Sequence, residues 1–162
     1  MRTIYLDMDG VVADFDAYAL AVLGAKQAQI RWSDAQWNSL RNNPRMFRDL
    51  NKTPEADQLV EVCRLISKQK GYNLLFLTAI PHDNDMPWSF YDKVCWAQQR
   101  YPDIPVHFGP YSKDKHLHAK PGDILIDDRA SNIREWMEAG GVAILHRGDL
   151  DSTLRELQNI TK

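Results

Sequence analysis

Three short apolar runs in this chain each end in residues able to do chemistry. Ile4-Tyr5-Leu6 is followed by Asp7-Met8-Asp9-Gly10, Leu74-Leu75-Phe76-Leu77 by Thr78-Ala79-Ile80-Pro81, and Ile124-Leu125-Ile126 by Asp127-Asp128-Arg129. If the runs are neighbouring strands, four acids and a hydroxyl meet on one rim. That grouping is unfavourable unless a cation offsets it, and hard oxygen ligands in that number suit Mg²⁺. A carboxylate beside such an ion can attack phosphorus, splitting one hard displacement into two easier ones. A second carboxyl two residues on can protonate the leaving oxygen and then activate water. Gly10 lets the loop bend tightly behind the pair. A lone D-x-D-G is a weak signal, because acids at strand ends also cap helices. The sharper signal is its combination with the paired aspartates and the hydroxyl between them.

The pattern excludes several alternatives. The spaced acids and closing Glu of a calcium-binding EF-hand loop are absent. There is no G-x-x-x-x-G-K-[ST] phosphate loop and no G-x-S-x-G nucleophile elbow.

The elements that must position these residues follow from periodicity. Val142-Ala143-Ile144-Leu145 is a fourth apolar run, and all four are continuous, as in strands buried on both faces of a parallel sheet. Pro105 to Gly109 adds a further short strand. Helical patterns lie between them. Thr53-Pro54-Glu55 reads as a cap before a helix with Ala56, Leu59, Val60, Cys63 and Ile66 inward, stopping at Gly71. Another runs from about Trp88 to Arg100. A third is capped by Ser131, has Ile133, Trp136 and Met137 inward, and ends at Gly140-Gly141. A last one spans about Ser152 to Ile160. Alternating strands and helices predict an α/β fold, a Rossmann-like three-layer parallel sheet, whose ligands bind beyond the carboxyl ends of the strands.

The stretch 16–53 breaks this alternation and reads as a small helical cap insertion over that end of the sheet; residues 1–15 and 54–162 form the core. Its aromatics Trp32, Trp37 and Phe47 are either insertion core or a wall on which a base stacks. Trp96 and Trp136 read as core, Arg41, Arg45 and Arg48 as a solvated face, and His116 and His118 as an exposed loop pair.

The chain has 162 residues and a net charge of −2, with 44% hydrophobic and 26% charged residues, an ordinary globular balance. That is room for one domain and a modest insertion. Near-neutrality disfavours a partner held by its phosphate backbone, so a small molecule is expected rather than nucleic acid or membrane. Two cysteines, Cys63 and Cys95, fit buried thiols rather than a disulfide framework. No stretch approaches 18 apolar residues, and Met1-Arg2-Thr3-Ile4 runs straight into a strand, so a soluble, cytoplasmic protein is expected.

Taken in order, Asp7-Met8-Asp9-Gly10-Val11, Thr78, Lys115 and Asp127-Asp128 resemble the four motifs of the haloacid dehalogenase-like (HAD) phosphohydrolases. Asp7 to Phe15, Asp92-Lys93-Val94-Cys95-Trp96, Asp114-Lys115 and Leu125 to Arg129 are most similar to the 5'(3')-deoxyribonucleotidase branch. The resemblance implies a nucleophile and Mg²⁺ ligand at Asp7, and at Asp9 a general acid/base that also gives its backbone carbonyl to the metal. It implies a phosphoryl-holding hydroxyl at Thr78, a neutralising cation at Lys115, and further metal ligands at Asp127, Asp128 or both. Lys93 matches a second phosphate-contacting lysine and Phe15 an aromatic that packs on the nucleotide base. Ala79, Trp32, Phe47 and Arg129 complete the implied substrate-binding set. Two features depart from the branch. Ala79 stands where a hydroxyl residue is usual, and a slightly long segment before Asp127 makes Lys120 a rival to Lys115. The implied activity is Mg²⁺-dependent hydrolysis of a (deoxy)nucleoside 5'- or 3'-monophosphate. Another phosphometabolite such as a sugar phosphate, a non-catalytic binding module and a 3'-phosphatase for nucleic acid ends are the alternatives.

Overall fold

The computed structural model describes residues 1–24, 33–81 and 86–162. Five parallel strands form one sheet: β1 (Thr3–Leu6), β2 (Asn73–Thr78), β3 (Val106–Phe108), β4 (Ile124–Asp127) and β5 (Val142–Leu145), in the order β3-β2-β1-β4-β5. β1 is central, with Leu6 opposite Phe76 on one side and Ile126 on the other. The chain therefore reverses its direction of travel across the sheet at β1, where open α/β sheets place their ligands.

The side-chain period of two divides the strands between two apolar clusters. Ile4, Leu6, Phe76, Ile124, Ile126 and Ile144 face the larger one. Helices α4 (Ala56–Lys70), α5 (Trp88–Arg100) and α7 (Leu150–Ile160) cover it, contributing Leu59, Val60, Trp96 and Leu157 among others. Tyr5, Leu77 and Leu125 face the smaller one, around Trp136 of α6 (Ala130–Glu138). Trp136 meets Tyr5 edge-on at 5.2 Å between ring centroids. A 3₁₀ segment, Ser112–His118, leads from β3 towards β4. Among the described residues, no helix is long and apolar enough to cross a membrane.

The stretch 16–53 carries most of α1 (Phe15–Leu23), all of α2 (Asp34–Arg41) and all of α3 (Met46–Asp49). Ser33 and Gln36 close a reciprocal capping box at the start of α2. The chain leaves and rejoins the core at one place, where Asp14 N–H donates to Asn51 C=O at 2.8 Å and Thr53 N–H to Val12 C=O at 2.9 Å. Leu40, Met46, Phe47 and Leu50 belong to the same apolar cluster as Val11 and Trp96, so the described residues of this stretch form no separate core.

Several local expectations need correction. Thr53 does not cap α4: the helix starts at Ala56 after Glu55, and the Thr53 hydroxyl donates to Val11 C=O at 2.8 Å, tying the returning chain to the β1 loop. Ser131 does not cap α6, which begins one residue earlier and has no side-chain cap; the Asp127 carboxylate accepts the N–H of Arg129, the residue just before it. The narrow second face covers only Trp136 fully, leaving Ile133 half-buried and Met137 57% exposed. α7 starts at Leu150, two residues before the expected start near Ser152, because Asp149 caps it. Cys63 is buried but Cys95 only half-buried. His116 and His118 sit half-buried in the 3₁₀ segment, not on an open loop.

With so few side chains under the smaller face, Trp136 carries most of its packing. Trp136→Ala is expected to cost about 3–5 kcal/mol, read as a lower urea midpoint at unchanged slope.

Candidate active site

The loop after β1 turns sharply. The amides of Val11, Val12 and Ala13 converge on Met8 C=O at 3.2, 2.9 and 2.8 Å, none of them on the Asp9 carbonyl, and Gly10 adopts φ +80°. A Cβ at Gly10 would lie 2.2 Å from Asp128 Oδ2, so only glycine lets the β1 and β4 loops touch here.

Asp7 is buried. Its Oδ1 accepts the Met8 N–H at 2.8 Å and lies 2.7 Å from Lys115 Nζ. Lys115 is buried as well, and also donates to Asp127 Oδ2 at 2.7 Å. Asp127 is saturated by donors: besides Lys115, it accepts Asn132 Nδ2 at 2.9 and 3.1 Å and the Arg129 N–H at 2.9 Å. Asn132 is itself fixed by Ser112, whose hydroxyl donates to Asn132 Oδ1 at 2.8 Å. Among the described residues, no donor reaches the Asp128 carboxylate. Asp7, Asp127 and Asp128 each offer an oxygen within 4.8 Å of the others.

Three clustered carboxylates thus share one ammonium. Burial, with the charges of Asp127 and Asp9 adding to it and Lys115 opposing, raises Asp7 to about 6. Burial and the charges of Asp7 and Asp127 push Asp128 up to about 8. Burial works against the Lys115 ammonium, but Asp127 and Asp7 outweigh it and hold its pKa above the usual lysine value. Acids this reluctant to ionise, with oxygens left unclaimed on Asp7 and Asp128, form a donor set that fits a hard divalent cation.

Asp9 turns the other way. Its Oδ2 lies 2.5 Å from Nζ of the buried Lys93, which also donates to Thr78 Oγ1 at 3.0 Å and stands 4.6 Å over the Phe47 ring. Phe47 stacks on Phe15 with centroids 5.8 Å apart and planes 16° apart. A cleft of about 270 Å³ opens between these groups. It is lined by Asp7, Asp9, Asp128 and Lys115 together with Phe15, Phe47, Trp37, Ala79, Ile80 and Pro81, with Tyr111, Lys113 and Arg129 among the remaining lining residues.

The structure therefore brings Asp7, Asp9, Lys115, Asp128, Phe15, Phe47, Ala79 and Arg129 onto one cleft. Thr78 and Lys93 are buried and reach it through Asp9, and Asp127 is buried behind Asp7 and Lys115. Lys120 is exposed; the lysine between Asp7 and Asp127 is Lys115. Trp32 lies outside the described residues. Sequence reasoning missed Asn132 and Ser112. The signal available for Asn132 was a polar residue in the first turn of a helix that starts beside a strand-end acid.

The family described as 5' nucleotidase, deoxy (pyrimidine), cytosolic type C protein matches residues 1–147, which include every side chain of this cleft. The chain belongs to that family. It is thus a HAD-like phosphohydrolase of the nucleotidase family, and only α7 lies beyond the match. No curated protein matches the chain. Among solved structures, a hydrolase from Streptococcus pneumoniae TIGR4 is similar over 98% of this chain and 98% of its own, with 14% identity and a TM-score of 0.51, and shares the fold. A hydrolase from Pseudomonas syringae matches over 100% of both chains at 13% identity and TM-score 0.49. D,D-heptose 1.7-bisphosphate phosphatase from B. bronchiseptica, solved with magnesium and phosphate, matches over 96% of this chain and 87% of its own at 14% identity and TM-score 0.49.

Two predictions follow from the charge balance. Asp7 and Asp128 have folded-state pKa values above the ordinary 3.8, so the folded protein binds more protons than the unfolded chain between pH 4 and 8. Stability from these groups is full below about pH 4 and is lost as pH rises. The buried His146 has a lowered pKa and acts in the opposite sense, but only below its ordinary value of 6.5. In EDTA, Tm should therefore fall by a few degrees between pH 6.5 and 8.5, and millimolar Mg²⁺ should remove the fall; a flat EDTA profile contradicts the charge balance. Lys115→Met leaves three clustered carboxylates without their cation, and should cost about 3–5 kcal/mol in EDTA at pH 8 by chemical denaturation.

Proposed function

We propose that the protein is a Mg²⁺-dependent phosphomonoester hydrolase acting through an aspartyl-phosphate, and that its substrates are (deoxy)nucleoside 5'- or 3'-monophosphates. The observation that carries the reading is the pairing, across one cleft, of a buried nucleophile-competent carboxylate with an aromatic wall. Asp7 and Asp128, with the carbonyl of Asp9, would hold the metal; bound there it supplies positive charge to the phosphoryl oxygens and to Asp7.

The protein's own groups account for the remaining steps. An Asp7 oxygen attacks phosphorus and the bond to the leaving oxygen breaks. Asp9, carrying a proton, delivers it to that oxygen, and the alcohol departs. Water then attacks the aspartyl-phosphate, Asp9 takes its proton, and the Asp7–phosphorus bond breaks to release phosphate. Lys115 neutralises Asp7, and Lys93 offsets phosphoryl charge from behind Asp9 while Thr78 holds it in place. Asp127 orients Lys115. Arg129 and the backbone at Ala79 face the phosphate side of the cleft; Phe15, Phe47 and Trp37 face the leaving group. The segment 16–53 acts as the cap that selects that group. A cleft of about 270 Å³ fits a small-molecule substrate, and the reading places the reaction in the cytoplasm.

Asp7→Asn should lower kcat on an aryl phosphate by about 10⁴-fold or more, and Asp9→Asn by about 10²–10⁴-fold, with Tm in EDTA unchanged or raised for Asp7→Asn. Substantial activity in Asp7→Asn would exclude the covalent route. Base stacking of about 1–3 kcal/mol should make nucleoside monophosphates about 10–100-fold better than sugar phosphates in kcat/KM, in the presence of Mg²⁺ only. Equal rates on both classes would exclude the nucleotide reading.

A further inference from the structure

Outside the cleft, one face of α5 holds the aromatic wall by its backbone. Asp92, Trp96 and Arg100 recur every four residues and so stand in line on the helix. Facing them is α3, four residues long and too short to persist unaided. Arg45, at its N-terminal flank, is the one non-glycine among the described residues with positive φ, 76°, a conformation L side chains disfavour. At this flank the buried Asp92 carboxylate lies near the Arg45 backbone N–H, which favours its ionised form. At the other end, Trp96 Nε1 donates to Leu50 C=O at 2.8 Å, and Arg100 donates to Leu50 C=O at 3.0 Å and Arg48 C=O at 3.4 Å. These carbonyls end a helix with no following turn to satisfy them. The Arg100 guanidinium also lies 4.8 Å over the Trp96 ring.

Phe47 stands between the two grips, on the cleft, stacked on Phe15. Its ring contacts Lys93, the neighbour of Asp92 on α5, and that lysine holds Asp9. One helix thus fixes both the wall against which a leaving group would rest and the cation on the general acid/base. Neither Trp96 nor Arg100 lines the cleft.

We propose that Trp96 and Arg100 are positioning residues for substrate selection: by capping the carbonyls at the end of α3 they hold Phe47 as a preformed wall for the nucleoside. This rests on the nucleotide reading above. Preformed walls lower the ordering cost of binding, so their loss appears in KM for the group they contact.

The test compares a deoxynucleoside monophosphate with glycerol phosphate in Arg100→Met, Trp96→Phe and Arg100→Lys. Both of the first two should raise nucleotide KM about tenfold with kcat within about twofold, and leave both parameters for glycerol phosphate unchanged. Arg100→Lys should recover most of the loss by restoring a donor. An unchanged nucleotide KM in the folded variants overturns the inference, as does an equal loss on both substrates. Loss of the folded state in both variants would make the stripe merely structural and overturn it too. A wild-type enzyme that does not prefer the nucleotide refutes the substrate reading first, and this inference with it.

Discussion

The site is organised by a charge imbalance. Asp7, Asp127 and Asp128 are brought within ligand distance of one another with only Lys115 among them. The sheet makes this unavoidable: β1 and β4 are hydrogen-bonded neighbours, so the residues that follow them emerge side by side. Asp127 accepts from Lys115, Asn132 and the Arg129 N–H. Among the described residues, Asp128 is left without a donor and pressed against Gly10, and Asp7 keeps one oxygen unclaimed. The fold thus holds an excess of negative charge that only a cation or protons can relieve, a strained arrangement of the kind found where function outweighs stability.

Much of this was legible in the sequence, for a definite reason. Continuous apolar runs identify buried parallel strands, and in such sheets function follows strand ends, so Asp7, Asp9, Thr78 and Asp127-Asp128 could be found without coordinates. Lys115 was harder, because a lysine in an irregular segment carries no periodic signal; its competition with Lys120 is resolved only by the 3₁₀ segment that turns one inward and leaves the other exposed. The difference in hydrogen bonding between Asp127 and Asp128 was not legible at all. It depends on Asn132 and Ser112, which come from two different elements and meet only in three dimensions. Local caps failed for a similar reason. Thr53 has the right type and spacing for a cap, but a tertiary partner, Val11 C=O, takes its hydroxyl.

The aromatics show the same limit. Trp37 and Phe47 were open to two readings, insertion core or a wall for a base; both line the cleft, and Phe47, like Phe15, is also buried in the main cluster. Because the described part of the stretch 16–53 shares the core of the sheet, the aromatics it lends to the cleft are tied to the same packing that holds the strands, and α5 connects the two. The aromatic and the charged parts of the cleft lining are in this way anchored to one packed core.

The charge imbalance is tested most directly by calorimetric titration of the cation-free protein with Mg²⁺ at pH 7, in two buffers of different ionisation enthalpy. With Asp128 at about 8 before the metal binds, binding should release about one proton per ion, and the apparent enthalpy should shift between buffers accordingly. Binding with no proton release, or no binding at all, would contradict the account.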